Sequence, residues 1–167
     1  MPSTVLDSTV LISAFLAQGG VSNELLRYAR EGVFLLYLSE EILNEAQGVL
    51  LDEERRHRQR YHYPNEEAIN FIEGLRVFAT LVTDLPQVAV VIRDPNDDMV
   101  VATAQRAQAA YIVTRDKDLL SLQHLSLSRL NHWLPRREAY PEVMQRTAEC
   151  HHHIPDALLP QTDPVCE

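Results

Sequence analysis

The segment RDPNDDMVVATAQRAQAAYIVTRDKDLL, residues 93–120, decides the fold. It opens on the Asp-rich stretch DPNDD at 94–98, whose proline and short polar side chains read as a turn. The alanine-rich run from about Met99 to Ala109 then suits a helix. Tyr111 to Thr114 is a short aromatic and β-branched run, hence a strand. Arg115, Asp116, Lys117 and Asp118 follow that strand, before a helical turn at Leu119 and Leu120.

The same alternation extends outward toward the amino terminus. Thr4 to Leu6 is an apolar strand ending at Asp7, and the spacing of Val10, Leu11, Ala14 and Phe15 predicts a helix stopped at Gly19 and Gly20. Ser22 is the expected cap of a second helix running to about Gly32. Val33 to Leu38 reads as a strand, and Ser39 caps a third helix, SEEILNEAQGVL, whose acidic start suits the helix dipole. The charged stretch from Asp52 to Tyr63 reads as a solvated helix end or a loop. Pro64 and Asn65 open a helix through Ile69, Ile72, Leu75 and Phe78, and Val88 to Ile92 reads as a strand. No hairpin signal interrupts the series, so the expected fold is α/β, a mostly parallel central sheet flanked by helices. A last helix is expected at 136–145.

The chain has 167 residues, enough for one domain, expected over 1–147 with a loosely held tail at 148–167. No apolar run approaches the length of a bilayer span. The opening segment carries Asp7 in its middle and reads as mature structure, not a signal peptide. Only Cys150 and Cys166 are present, which is no disulfide framework and fits a reducing cytoplasm. The net charge of −9 argues against broad electrostatic attraction to nucleic acid, yet clustered carboxylates become an asset around a divalent cation.

In a parallel α/β sheet, ligands bind outside the carboxyl ends of the strands. Asp7 follows one predicted strand, Asp116 follows another, and Asp98 stands where a loop enters a helix at the same rim. The helix beginning at Ser39 also starts there, which makes Glu40, Glu41 and Glu45 candidates, Glu41 and Glu45 sharing a face. Two carboxylates about 4 Å apart repel by roughly 4 kcal/mol at an effective dielectric of 20. A cluster of them therefore calls for raised pKa values or a cation. All-oxygen ligation favours Mg²⁺ or Mn²⁺, ions suited to phosphodiester hydrolysis.

VLDSTVLISAFL at 5–16, LSEEILNEAQGVL at 38–50 and RDPNDDMVVATAQRAQAAYIVTRDKDLL at 93–120 together resemble the signature blocks of PIN domains. They are most similar to the toxin branch of bacterial toxin–antitoxin pairs, in an order that holds from about residue 3 to 122. The resemblance implies a metal-dependent endoribonuclease acting on RNA, commonly a homodimer and inhibited by a partner antitoxin. It also implies Asp7, Glu45, Asp98 and Asp116 as catalytic and metal-holding acids, with Asp94, Asp97 and Asp118 auxiliary at the same rim. The family usually reads Asp-Thr-Asn after the first strand, whereas this chain has Asp7-Ser8-Thr9, a hydroxyl in place of an amide.

Around that set, Ser8, Thr9 and Thr114 are expected to orient ligands or to satisfy backbone groups. Arg93, Arg115 and Lys117 are the candidate contacts to RNA phosphates. Plainer readings stand beside these: Asp7 as a turn residue, Asp98 or its neighbours as helix caps, Asp116 yielding to Asp118, and Glu45 as a solvated glutamate. The arginines at 55–60 read as a solvated helix end ahead of an RNA contact, and His151, His152 and His153 as incidental. Two other functions compete with the nuclease. One is a catalytically weak module that binds RNA or a partner. The other is a receiver-type phosphoacceptor, ranked low because no mid-chain strand ends in Asp.

Overall fold

The computed structural model describes residues 1–59, 61–88, 95–116 and 119. These form β1 (Ser3–Leu6), α1 (Ser8–Leu16), α2 (Val21–Arg30), β2 (Leu35–Ser39), α3 (Glu40–Leu51), α4 (Glu53–Gln59), α5 (Asn65–Phe78), β3 (Thr80–Val82), α6 (Pro95–Ala107) and β4 (Tyr111–Val113). The strands make one sheet in the order β3-β2-β1-β4, and every pairing among them is parallel. The architecture is the expected α/β one.

Parallel strands covered on both faces carry continuous apolar runs. Thr4, Val5 and Leu6 of the central β1 are accordingly all buried. Around them close Val10, Leu11 and Ala14 of α1, Ile42, Leu43 and Ala46 of α3, and Ile72 and Leu75 of α5. Leu38 and Ile42 are fully buried, so truncating either to alanine costs about 2–5 kcal/mol.

Four expectations are corrected. The second helix begins at Val21 with Gly20 as its cap residue, and Ser22 lies inside it, buried. The charged stretch after Asp52 forms a helix of its own, α4, capped by Asp52 Oδ1, which accepts the Arg55 N–H at 2.9 Å. A strand absent from the sequence reading, β3, forms the edge of the sheet beside β2. The helix expected from Met99 starts at Pro95, a residue favoured in a first helical turn, so Asp97 and Asp98 lie in that turn and not ahead of it. The strand expected at 88–92 (Val88 excepted), the helix at 136–145, the tail and the three tail histidines lie outside the described residues. Among the described residues, no helix is long and apolar enough to cross a membrane.

The link from α6 to β4 sets the direction of α6. Ala110 N–H donates to Ser3 O at 2.9 Å, fixing this end of α6 beside the start of β1. Gln108 turns the chain in the left-handed region at φ 52°, and Ala109 N–H donates back to Ala104 O at 2.9 Å. The 13 residues of α6 run about 20 Å at the helical rise, longer than the roughly 10 Å of a three-residue strand. The first turn of α6 thus reaches the carboxyl edge of the sheet.

Candidate active site

Asp7 directly follows β1 and stands just ahead of α1. Its N–H donates to Val113 O at 3.0 Å, continuing the ladder to β4, and its carbonyl accepts the N–H groups of Val10 and Leu11. An aspartate at this position normally turns its carboxylate onto the first backbone N–H groups of the helix. Here it makes no such bond. Three hydroxyls hold it instead: Thr9 donates to Oδ2 at 2.6 Å, Thr114 to Oδ2 at 2.5 Å and Ser8 to Oδ1 at 3.3 Å. Asp7 is 2% exposed. Among the described residues no basic side chain pairs with it. A buried anion held only by neutral donors is costly to keep, even with the positive end of α1 beside it.

The hydroxyls also join the two strand ends. Thr114 Oγ1 accepts the Asp116 N–H at 2.9 Å while donating to Asp7. Thr9 Oγ1 accepts the Arg115 N–H at 3.3 Å while donating to the same oxygen. Thr9 thereby links the Asp7 carboxylate to the backbone after β4. The guanidinium of Arg115 is exposed at this rim and donates to Ser13 Oγ at 2.5 Å. Ser13 was not singled out from the sequence, although it lies one turn beyond Thr9 and hence on the same helical face.

The other acids approach from the helices. Asp97 and Asp98, both half-buried, occupy the first turn of α6, and Asp116 is half-buried just past β4. Ser39 Oγ accepts the Ile42 N–H at 3.4 Å and starts α3 directly from the end of β2. Of the three glutamates on α3, Glu41 is exposed, while Glu45 is half-buried in the second turn. Glu40 is engaged elsewhere: Arg76 of α5 donates to Oε1 at 3.2 Å and to Oε2 at 2.7 Å. That hydrogen-bonded guanidinium holds the Glu40 carboxyl below the usual glutamate range. Asp94, Asp118, Arg93 and Lys117 lie outside the described residues.

The donor chemistry at Asp7 suits a hard divalent ion: carboxylate and hydroxyl oxygens on a buried side chain. Among the described residues, however, no three acids, histidines or cysteines stand close enough to form a metal-holding group by themselves. The geometry therefore joins Asp7, Thr9, Thr114, Arg115 and the backbone of Asp116 through bonds, and brings Asp98 and Glu45 only to elements that border the same rim.

The family model for the PIN domain matches residues 3–118, a span that includes Asp7, Glu45, Asp98 and Asp116. No curated protein matches the chain.

Proposed function

We propose, from the premise that the chain belongs to the PIN domain family, that it is a metal-dependent endoribonuclease whose central acid is Asp7. PIN domains are generally nucleases, which makes this chain a candidate hydrolase of RNA. The observation carrying the proposal is the carboxylate of Asp7, which is buried, declines the capping role and is oriented by Thr9 and Thr114. A residue needed only to start α1 would cap it.

In this reading Asp7 and Asp116 hold Mg²⁺ or Mn²⁺, and Asp98 and Glu45 complete the set from α6 and α3. The bound ion supplies Lewis-acid chemistry, offsetting phosphate charge and lowering the pKa of water. Thr9 and Thr114 keep Oδ2 of Asp7 fixed in direction, as partners of metal-binding carboxylates generally do. Arg115 offers an exposed cation beside the acids, placed to steady a phosphate of the strand. Action as a cytoplasmic toxin, with an antitoxin partner and a homodimeric state, belongs to the same proposal and rests on the sequence resemblance.

The test is cleavage of a mixed RNA pool by wild type and Asp116→Asn, with EDTA, Mg²⁺ and Mn²⁺ lanes. Cleavage that needs the metal and is lost in the variant supports the nuclease. Folded wild type that leaves every RNA intact in either metal favours the binding module.

A further inference from the structure

Residues 55–65, RRHRQRYHYPN, hold four arginines, two histidines and two tyrosines, and no carboxylate. The segment contributes +4 to a chain whose net charge is −9, so the remaining residues carry −13. An anionic RNA approaching this protein meets repulsion over most of the sequence, which gives an isolated cationic segment unusual weight.

The structure separates these arginines by task. Arg56 is 13% exposed; its Nη1 donates to Tyr63 O at 2.9 Å and its guanidinium lies 5.1 Å from the Tyr63 ring centroid. Tyr63 in turn packs edge-on against Phe15 at 4.8 Å and donates to Leu50 O at 2.8 Å. Arg56 therefore moors α4 to the domain. Arg55 and Arg58 lie three residues apart, on one face of α4, and both are exposed. No carboxylate pairs with Arg55 among the described residues, and Arg58 stands 4.0 Å from Glu54 with both side chains largely in solvent, a pairing worth little. Beyond them Tyr61 is exposed, a ring on which a base can stack.

We propose that the exposed face of α4, with Arg55 and Arg58 as its phosphate contacts and Tyr61 as a stacking platform, grips single-stranded RNA away from the acidic rim. The 12 residues of α3 separate α4 from that rim by about 18 Å at the helical rise. The grip acts on the sugar-phosphate backbone, supplies affinity and not sequence preference, and matters for RNA long enough to reach both places. This inference rests on RNA being the substrate.

The test measures fluorescence anisotropy of a labelled single strand of about 20 nucleotides with the full chain in EDTA, across a salt series. Removing two phosphate contacts in Arg55→Ala/Arg58→Ala is expected to lower low-salt affinity about tenfold and to flatten the log–log salt slope by about 1.4. Arg27→Ala/Arg30→Ala on α2, equal in charge change, is expected to act less. Wild-type affinity and slope in the α4 variant would overturn the proposal, as would wild type that fails to bind RNA. RNA affinity lost in the α4 variant, without cleavage by wild type in Mn²⁺, would uphold the grip and sink the nuclease reading. Cleavage by wild type with binding unchanged in the variant would sink the grip alone.

Discussion

Thr114 donates to Asp7 Oδ2 at 2.5 Å across 107 residues of sequence, and the same oxygen of Thr114 accepts the Asp116 N–H at 2.9 Å. One hydroxyl thereby ties the side chain following β1 to the backbone following β4. Thr114→Val keeps the shape but leaves that amide and Oδ2 short of a partner, a loss of about 1–3 kcal/mol in urea unfolding. RNA cleavage is expected to fall about 10–100-fold, the usual effect of removing a partner of a metal-holding carboxylate. Thr114→Ser restores most of both. Equal activity in the Val and Ser variants would remove Thr114 from the account.

Thr9 makes the second short bond to Oδ2, at 2.6 Å. Thr9→Asn, which supplies an amide donor instead, is expected to cleave RNA at a rate close to wild type. Thr9→Val is expected to weaken Mn²⁺ binding about 10-fold or more, read by titration calorimetry. A Val variant with unchanged metal affinity would mean that Thr9 is not needed to orient the carboxylate.

Acid sensitivity has an identifiable contributor away from the rim. Arg76 lowers the Glu40 carboxyl below its ordinary 4.5, so the pair stabilises the fold at pH above that value. The contribution is lost as pH falls through the lowered folded-state value. Because Glu40 is 46% exposed, solvent screening keeps it below about 1 kcal/mol. Urea midpoints of wild type and Glu40→Gln should differ at neutral pH and converge in acid. A gap that persists in acid would show a packing effect in place of an ionic one.

Gln108 holds φ at 52°, in the region where a side chain is disfavoured, and it is exposed. Gln108→Gly is expected to stabilise the domain by about 0.5–1 kcal/mol, since this left-handed position closing α6 is the one glycine favours. Thermal unfolding checks it; a lower midpoint would mean that the Gln108 side chain makes a contribution of its own.

Much of this was legible in the residues, and the omissions have physical causes. β1 and α1 announce themselves by an apolar run followed by helical spacing, and Ser39 signals the start of α3 that its hydroxyl in fact caps. β3 has three residues, too few to show a period of two, and its edge position leaves Leu81 exposed. Pro95 carries two meanings, turn former and first-turn helix residue, and composition favoured the wrong one. α4 shows no apolar stripe because none of its residues is apolar, and it is held through Arg56 on Tyr63. At the rim, Asp7, Asp98 and Asp116 were visible as acids at strand and helix ends. Helical spacing set Glu40 on a different face from Glu41 and Glu45, but its bond to Arg76 spans 36 residues and leaves no local trace.

The most direct measurement is Mn²⁺-dependent stability of wild type and Asp7→Asn, paired with RNA cleavage by each. Without metal, Asp7→Asn should be at least as stable as wild type, because it removes a buried charge that no described basic group balances. With Mn²⁺ at 100 times its dissociation constant, wild type should gain about 2.7 kcal/mol and cleave RNA. The variant should gain little and leave RNA intact. An Asp7→Asn protein that is stabilised by Mn²⁺ and cleaves as wild type does would contradict the account at its centre.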